Sequence, residues 1–140
     1  MTPDEARSRL AGARVARLAT AAADGRPHVV PCTFALLDDA TIVSAIDHKP
    51  KRTTALRRLA NIAANPHVAL LADHYADDWD MLWWARADGT ARVLPPDAEP
   101  ALRAAAVRGL SARYAPYLTR PPQGPLIVIA VRRWSGWSAA

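Results

Sequence analysis

The sequence is poor in the residues that build metal centres, disulfides and membrane spans. Its single cysteine, Cys32, excludes an intrachain disulfide and leaves no cysteine cluster for zinc. The four histidines lack HExxH or similar ligand spacing, so we expect no metal site. No apolar run approaches the roughly 20 residues of a membrane span. Residues 1–5 also lack the basic start and apolar stretch of a secretory signal. These absences predict a cytoplasmic protein without a membrane partner, and Cys32, in an apolar stretch, is expected to be a buried, inert thiol.

Positive charge is in excess but is spread along the chain. The formal net charge is +5, from 18 Lys and Arg against 13 Asp and Glu. A basic protein can bind nucleic acid. However, the sequence has no recognition-helix pattern, no zinc-finger spacing and no aromatic-rich RNA-binding strand. We therefore expect no nucleic-acid partner and favour a local basic pocket for a small anionic ligand.

Length and patterning predict one domain over residues 1–140, with an antiparallel sheet and a few helices. Asp-Gly pairs at 24–25 and 88–89 predict hairpin turns. The first strands follow one another too closely for crossover helices, so a parallel doubly wound sheet fits poorly. The predicted fold is a small barrel with helices packed outside it. Strands are predicted at 14–20, 27–37, 40–46, 67–72, 79–87, 90–94 and 126–134, and helices at 3–12, 53–64 and 97–114.

The connection over residues 44–53 combines a strand end, three cations and the start of a helix. Lys49, Lys51 and Arg52 lie beside backbone N–H groups that a helix start leaves unpaired. A helix N-terminus also carries partial positive charge, so this arrangement suits a phosphate. A solvated basic turn is the alternative. For Arg57 and Arg58, further along the helix, a solvated face is the expected place.

Two further features bear on a ligand. Pro31 interrupts a strand, and because proline cannot donate to a sheet ladder it marks an edge, a bulge or a point of ligand approach. Trp83 and Trp84 face opposite sides of a strand. One is expected in the core and the other at a subunit interface or a ligand pocket.

Eight segments follow one another in the order seen in one known family: 17–20, 25–31, 47–52, 59–62, 65–66, 73–75, 82–84 and 134–137. With them the chain resembles the pyridoxamine 5′-phosphate oxidase-like split β-barrel proteins, and more narrowly their deazaflavin branch, which uses coenzyme F420. The resemblance implies a mainly β fold with accessory helices: an antiparallel split β-barrel of the FMN/F420-binding type.

The resemblance also implies a set of cofactor-binding residues. Lys51 and Arg52 match the basic pair that binds the cofactor phosphate, and Lys49 is a further candidate. Ser44 and Ala45 match the strand end beside the ribityl chain. Trp84 stands where flavin-using relatives carry a glutamine from the partner subunit, a departure that disfavours oxidase-type flavin chemistry and suits packing around a deazaflavin. The strand that faces the ring contributes Val29, Val30 and Pro31.

The resemblance thus implies a homodimer with the cofactor groove at the subunit interface. The expected activity is hydride transfer from reduced coenzyme F420 to a small unsaturated organic substrate. No catalytic side chain is required, because the cofactor carries the chemistry. Proton donation by His74 or Tyr75 stays open. The alternatives are an FMN-dependent oxidoreductase, a non-catalytic F420- or flavin-binding protein and, on charge alone, a small nucleic-acid-binding barrel.

Overall fold

A computed structural model describes residues 1–46 and 52–139, with residues 52–56 described by their backbone only. Seven strands in this part of the chain form one antiparallel sheet in the order β2-β1-β5-β6-β7-β4-β3. A short 3-10 helix, Trp79–Met81, precedes β6. The elements are α1 (Pro3–Gly12), β1 (Ala16–Ala21), β2 (Pro27–Cys32), β3 (Ala35–Asp38), β4 (Thr41–Ala45), α2 (Arg52–Ala64), β5 (His67–His74), β6 (Trp83–Leu94), α3 (Pro100–Arg113), α4 (Pro116–Thr119) and β7 (Leu126–Ser138).

The mainly β, antiparallel split-barrel prediction is confirmed, and the first hairpin shows why local sequence was sufficient there. Gly25 has a φ of 88°, a left-handed conformation that glycine adopts without strain, and its N–H donates to the Ala22 carbonyl at 2.8 Å. The hairpin aligns β1 and β2 from Ala16 opposite Cys32 to Ala21 opposite Pro27. The predicted turn at 24–25 is therefore correct.

The predicted strand at 27–37 is instead two strands on opposite edges of the sheet. β2 pairs with β1, whereas β3 pairs with β4. At the break between them, Phe34 N–H donates to the Tyr114 hydroxyl at 3.2 Å, and the Thr33 carbonyl accepts from Ser44 Oγ at 2.7 Å. These bonds replace the ladder bonds of a continuous strand. Pro31 consequently lies on an edge strand, as one of its interpretations required.

The predicted turn at Asp88-Gly89 is wrong, because β6 runs unbroken through it. The register between β6 and β7 shifts at Asp88 and Gly89, which marks a β-bulge. A Cβ atom at position 89 would overlap the carbonyl oxygen of Ala130 on β7. This glycine therefore permits close approach of two backbones rather than a chain reversal.

Three element boundaries also differ from the prediction. The expected strand start at Trp79 is a 3-10 helix, and β7 continues past Trp134 to Ser138 because it pairs with β6 along its whole length. The third helix begins at Pro100 and not at Asp97. Its N-cap, Glu99, makes no side-chain cap bond, since its carboxylate pairs with Arg92 at 2.6 and 3.0 Å.

The core lies in two clusters on the two sides of the sheet. Leu18, Phe34 and Leu70 belong to the larger cluster inside the barrel, and Val43 and Leu110 to a smaller one beneath α3. Cys32 is 8% exposed and its thiol is free, so the expected burial is confirmed. No helix in residues 1–46 and 52–139 is long and apolar enough to cross a membrane.

Candidate functional site

A cavity of about 590 Å³ lies where the ends of β2 and β4 meet α2 and the segment joining α3 to α4. This volume is within the roughly 300–1,000 Å³ of small-molecule and cofactor sites. Its described lining carries two arginines and no carboxylate. The lining residues are Arg14, Val15, Pro31, Cys32, Thr33, Ala45, Arg58, Tyr114, Ala115, Pro116 and Tyr117.

The strand ends supply one wall of the cavity. Pro31, Cys32 and Thr33 follow one another out of β2, and Ala45 ends β4. Ser44, 1% exposed, lies behind this wall, where its hydroxyl holds the Thr33 carbonyl. This wall is therefore part of an edge strand, and Pro31 in it has no backbone N–H to leave unpaired. It lies close to the end of β4, after which the chain enters the basic connection of residues 44–53.

Arg58 on α2 supplies a buried positive charge. The residue is 8% exposed, and its Nε has no hydrogen-bond partner in the described part of the chain. No ion pair involving Arg58 occurs there either. Because a buried charge is costly unless it is paired, this guanidinium is suited to an anion in the cavity.

The solvated face predicted for Arg58 is therefore wrong, whereas Arg57 is exposed as predicted. The sequence did carry a signal. Arg58 precedes Asn61 by three residues and Ile62 by four, so all three share one helix face. That face is buried: Asn61 is 6% and Ile62 3% exposed, and Asn61 Nδ2 donates to the Thr20 hydroxyl at 3.0 Å.

The opposite wall comes from the end of α3 and the start of α4. The Tyr114 hydroxyl accepts from Phe34 N–H at 3.2 Å and lies 3.0 Å from the Arg14 carbonyl, to which it can donate. The rings of Tyr114 and Tyr117 meet edge to face, 5.9 Å apart at 80°. The Tyr117 hydroxyl lies 2.8 Å from Thr33 Oγ1. These hydrogen bonds join two walls of the cavity whose residues are 80 or more positions apart in the sequence.

Arg14 lies at the rim of the cavity. Its guanidinium is 5.0 Å from the centre of the Tyr114 ring and donates to the Arg113 carbonyl at 2.5 Å. Arg113 in turn donates to the carbonyls of Ala11 and Ala13, which ties the end of α3 to the end of α1. Arg14, Tyr114 and Tyr117 were not predicted as site residues, because no local sequence pattern shows that their segments meet.

The environment of Cys32 follows from the same wall. Burial raises the pKa of its thiol, and the Ser44 hydroxyl and the positive charge of Arg58 oppose that rise in smaller measure. The neutral thiol is therefore the favoured form, which disfavours Cys32 as a nucleophile.

The residues predicted to bind a cofactor lie partly at this cavity. Pro31 and Ala45 line it, and Ser44 supports it from behind. Arg52 is the first residue of α2, described by its backbone only. Lys49 and Lys51 are outside the described residues.

Other predicted residues lie elsewhere. Val29, 61% exposed, and Val30, half-buried, are on β2 but are not part of the cavity wall that the structure describes. Trp84 is on β6, with the Arg86 guanidinium 5.6 Å from its ring centre, and Trp83 packs against the core. Tyr75, 70% exposed, also lies away from the described lining.

Comparison with known proteins identifies the family to which this chain belongs. A family model described as pyridoxamine 5′-phosphate oxidase matches residues 2–138, and the chain belongs to that family. A search of curated proteins returned no match.

Solved structures with the same fold have different described roles. An FAD-binding protein from Mesorhizobium loti is 22% identical, with 97% of this chain and 94% of that one covered and a TM-score of 0.73. A conserved hypothetical protein from Mycobacterium tuberculosis is 23% identical, with coverages of 99% and 86% and a TM-score of 0.72. The heme storage protein of Vibrio cholerae is 19% identical, with coverages of 96% and 90% and a TM-score of 0.68. At these identities the likeness concerns the fold.

Proposed function

We propose that this protein binds coenzyme F420 in its reduced form and transfers a hydride to a small unsaturated organic substrate. FMN is the alternative cofactor in the same groove. The observation that carries this proposal is the buried Arg58, which lacks a partner among the described residues and lines the 590 Å³ cavity of a chain of this family. Both cofactors bring a phosphate and a flat tricyclic ring, and the cavity offers a buried cation and largely apolar walls.

Arg58 adds a third group to the phosphate site proposed from the sequence. Lys51 comes immediately before α2 in the sequence, Arg52 is the first residue of α2, and Arg58 lies further along the same helix. Arginine can bind a phosphate with two parallel hydrogen bonds, whereas lysine contributes a point charge. We place the phosphate near these cations, with Lys49 as an additional charge.

The ring would lie along the β2 wall. Pro31 presents no N–H there, so a flat ring can approach without leaving a backbone donor unpaired. Ala45 at the end of β4 leaves room for the ribityl chain beside Ser44. In this arrangement Val29 and Val30 continue the ring-facing strand beyond the cavity.

The chemistry needs little from the chain beyond orientation. The reduced deazaflavin, when bound, supplies the hydride. The chain's part is to hold the phosphate and to keep water from the ring with apolar side chains such as Val15 and Pro116. His74 and Tyr75 are not among the described lining residues, whereas Thr33, Tyr114 and Tyr117 are lining residues that carry hydroxyl groups.

The proposal includes a homodimer with the cofactor groove at its interface. β2 is an edge strand, whose outer backbone groups can pair with another chain, and Val29 on it is 61% exposed. Trp84 and the 47% exposed Trp137 are neighbours on β6 and β7. A partner subunit that packs on this side chain of β2 and on the two tryptophans would cover their apolar surface. It would also bring Trp84 of one subunit to the cofactor groove of the other.

The decisive experiment is titration of the purified protein with coenzyme F420 and with FMN, followed by cofactor fluorescence. Binding of F420 in preference to FMN supports the proposal, and the reverse supports the FMN alternative. If neither binds below about 1 mM, where the binding free energy is only about 4 kcal/mol, the cofactor proposal fails. A Lys51→Ala/Arg52→Ala variant with unchanged affinity would remove those two residues from the phosphate site.

A non-catalytic cofactor-binding protein is the second candidate. A fold does not determine activity, and the V. cholerae structure with this fold is described as a heme storage protein. Oxidation of bound, reduced cofactor by members of a panel of enones and quinones supports the enzyme. Tight binding without turnover on any of them supports the carrier.

A further inference from the structure

The two arginines of the cavity differ in depth, and neither has a carboxylate partner in the part of the chain that the structure describes. Arg58 is 8% exposed inside the cavity, and Arg14 is exposed at its rim. Both arginines are positively charged, and an anion near each of them offsets the repulsion between them. The lining therefore matches a ligand with negative charge at two separate positions.

Arg14 is held in place by uncharged groups. It stacks on the Tyr114 ring at 5.0 Å and donates one N–H to the Arg113 carbonyl at 2.5 Å. The Tyr114 hydroxyl can also donate to the Arg14 carbonyl at 3.0 Å. A guanidinium has five N–H donors, so most of them stay available to a ligand. Less ordering entropy is then lost on binding, because the side chain is already positioned.

The two proposed cofactors differ in the part of the molecule that would contact Arg14. The phosphate of FMN ends the molecule, whereas the phosphodiester of coenzyme F420 continues into a chain of glutamates with several carboxylates. We infer that Arg58 holds the phosphate inside the cavity and that Arg14 at the rim holds a carboxylate of the tail. Arg14 is then a specificity-determining residue that favours F420 over FMN. This inference rests on the proposed function.

Arg14→Gln tests this role with limited disturbance, because glutamine can still donate to the Arg113 carbonyl. We expect Arg14→Gln to weaken F420 binding about tenfold, the usual scale of one charge-assisted hydrogen bond, and to change FMN binding less than about twofold. Arg58→Gln should weaken both. Arg26→Ala is the matched control: it removes one positive charge from the β1–β2 turn, where Arg26 pairs only with Asp24 in the described structure.

Dissociation constants from fluorescence titration, with circular dichroism to confirm folding, give the result without any turnover assay. A cofactor fragment that ends at the ribityl group, without phosphate or tail, should bind equally to wild type and Arg14→Gln. The inference is overturned if Arg14→Gln binds F420 within about twofold of wild type, or if FMN and F420 weaken equally. Absence of binding of either cofactor to wild type would overturn the proposed function and this inference together.

Discussion

Replacing Arg58 with methionine should stabilise the ligand-free protein and weaken its ligand binding. Arg58 is 8% exposed, and its Nε has no partner in the described residues. A buried ion costs several kcal/mol in effective desolvation, and an apolar side chain of similar volume removes that cost. Because the cavity admits water, we expect a gain of only about 1–3 kcal/mol in the free energy of unfolding. For a chain of this size that corresponds to a rise in Tm of roughly 3–9 °C.

The same substitution should lower the stabilisation that a bound cofactor gives. At a ligand concentration of 100 Kd, wild type gains about 2.7 kcal/mol. If Arg58→Met weakens binding tenfold, the gain at the same concentration falls to about 1.4 kcal/mol. Urea unfolding followed by tryptophan fluorescence, with and without the cofactor that binds, measures both effects.

Arg57→Met is the matched control, because Arg57 is the neighbouring arginine of α2 and is exposed. It should change neither the free energy of unfolding nor the ligand effect by more than about 0.5 kcal/mol. The opposite result would be an Arg58→Met variant that is less stable than wild type without ligand and is stabilised by the cofactor as strongly as wild type. That result would mean that Arg58 is satisfied within the protein and has a structural role.

Three further predictions concern stability and the thiol. Gly89→Ala should lower the free energy of unfolding by more than about 2 kcal/mol in urea titrations, because the added Cβ would overlap the backbone of β7. Gly124→Ala is the control and should be near neutral, because the space around Gly124 is open. Since burial raises the pKa of Cys32, its alkylation should reach half-maximal rate at a higher pH than a free cysteine thiol; an equal midpoint would show the thiol to be solvated. Asn61→Leu should cost about 1–3 kcal/mol in thermal unfolding by orphaning the Thr20 hydroxyl, and adding Thr20→Val should recover part of it; purely additive losses would contradict that coupling.

Local chemistry determined much of the fold. The Asp24-Gly25 pair predicted a tight turn, and an edge strand was one of the interpretations of Pro31. The structure shows both the turn and the edge strand. The predicted helix over 3–12 is correct, and at its start Thr2 and Glu5 form a capping box. In each case the residues that decide the structure lie within a few positions of one another.

Where the sequence misled, the deciding contact is distant in the chain. Asp88-Gly89 has the composition of a turn, but the approach of the β7 backbone at Ala130 makes it part of a continuous strand. The strand expected over 27–37 breaks because a hydroxyl 80 residues away bonds Phe34. Residue preferences report what a segment can do alone, and tertiary contacts override them.

The candidate site divides in the same way. Residue type and order marked Pro31 and the basic start of α2, and the family resemblance implied Ala45; Pro31 and Ala45 line the cavity. Only the tertiary structure brought Arg58 into the interior and set Arg14 at the cavity rim. Their positions depend on which elements pack together, and the Tyr114 hydroxyl, which lies 3.0 Å from the Arg14 carbonyl, is 100 residues distant in the chain. A charged side chain is specified by sequence, but whether it meets water or a ligand is decided by packing.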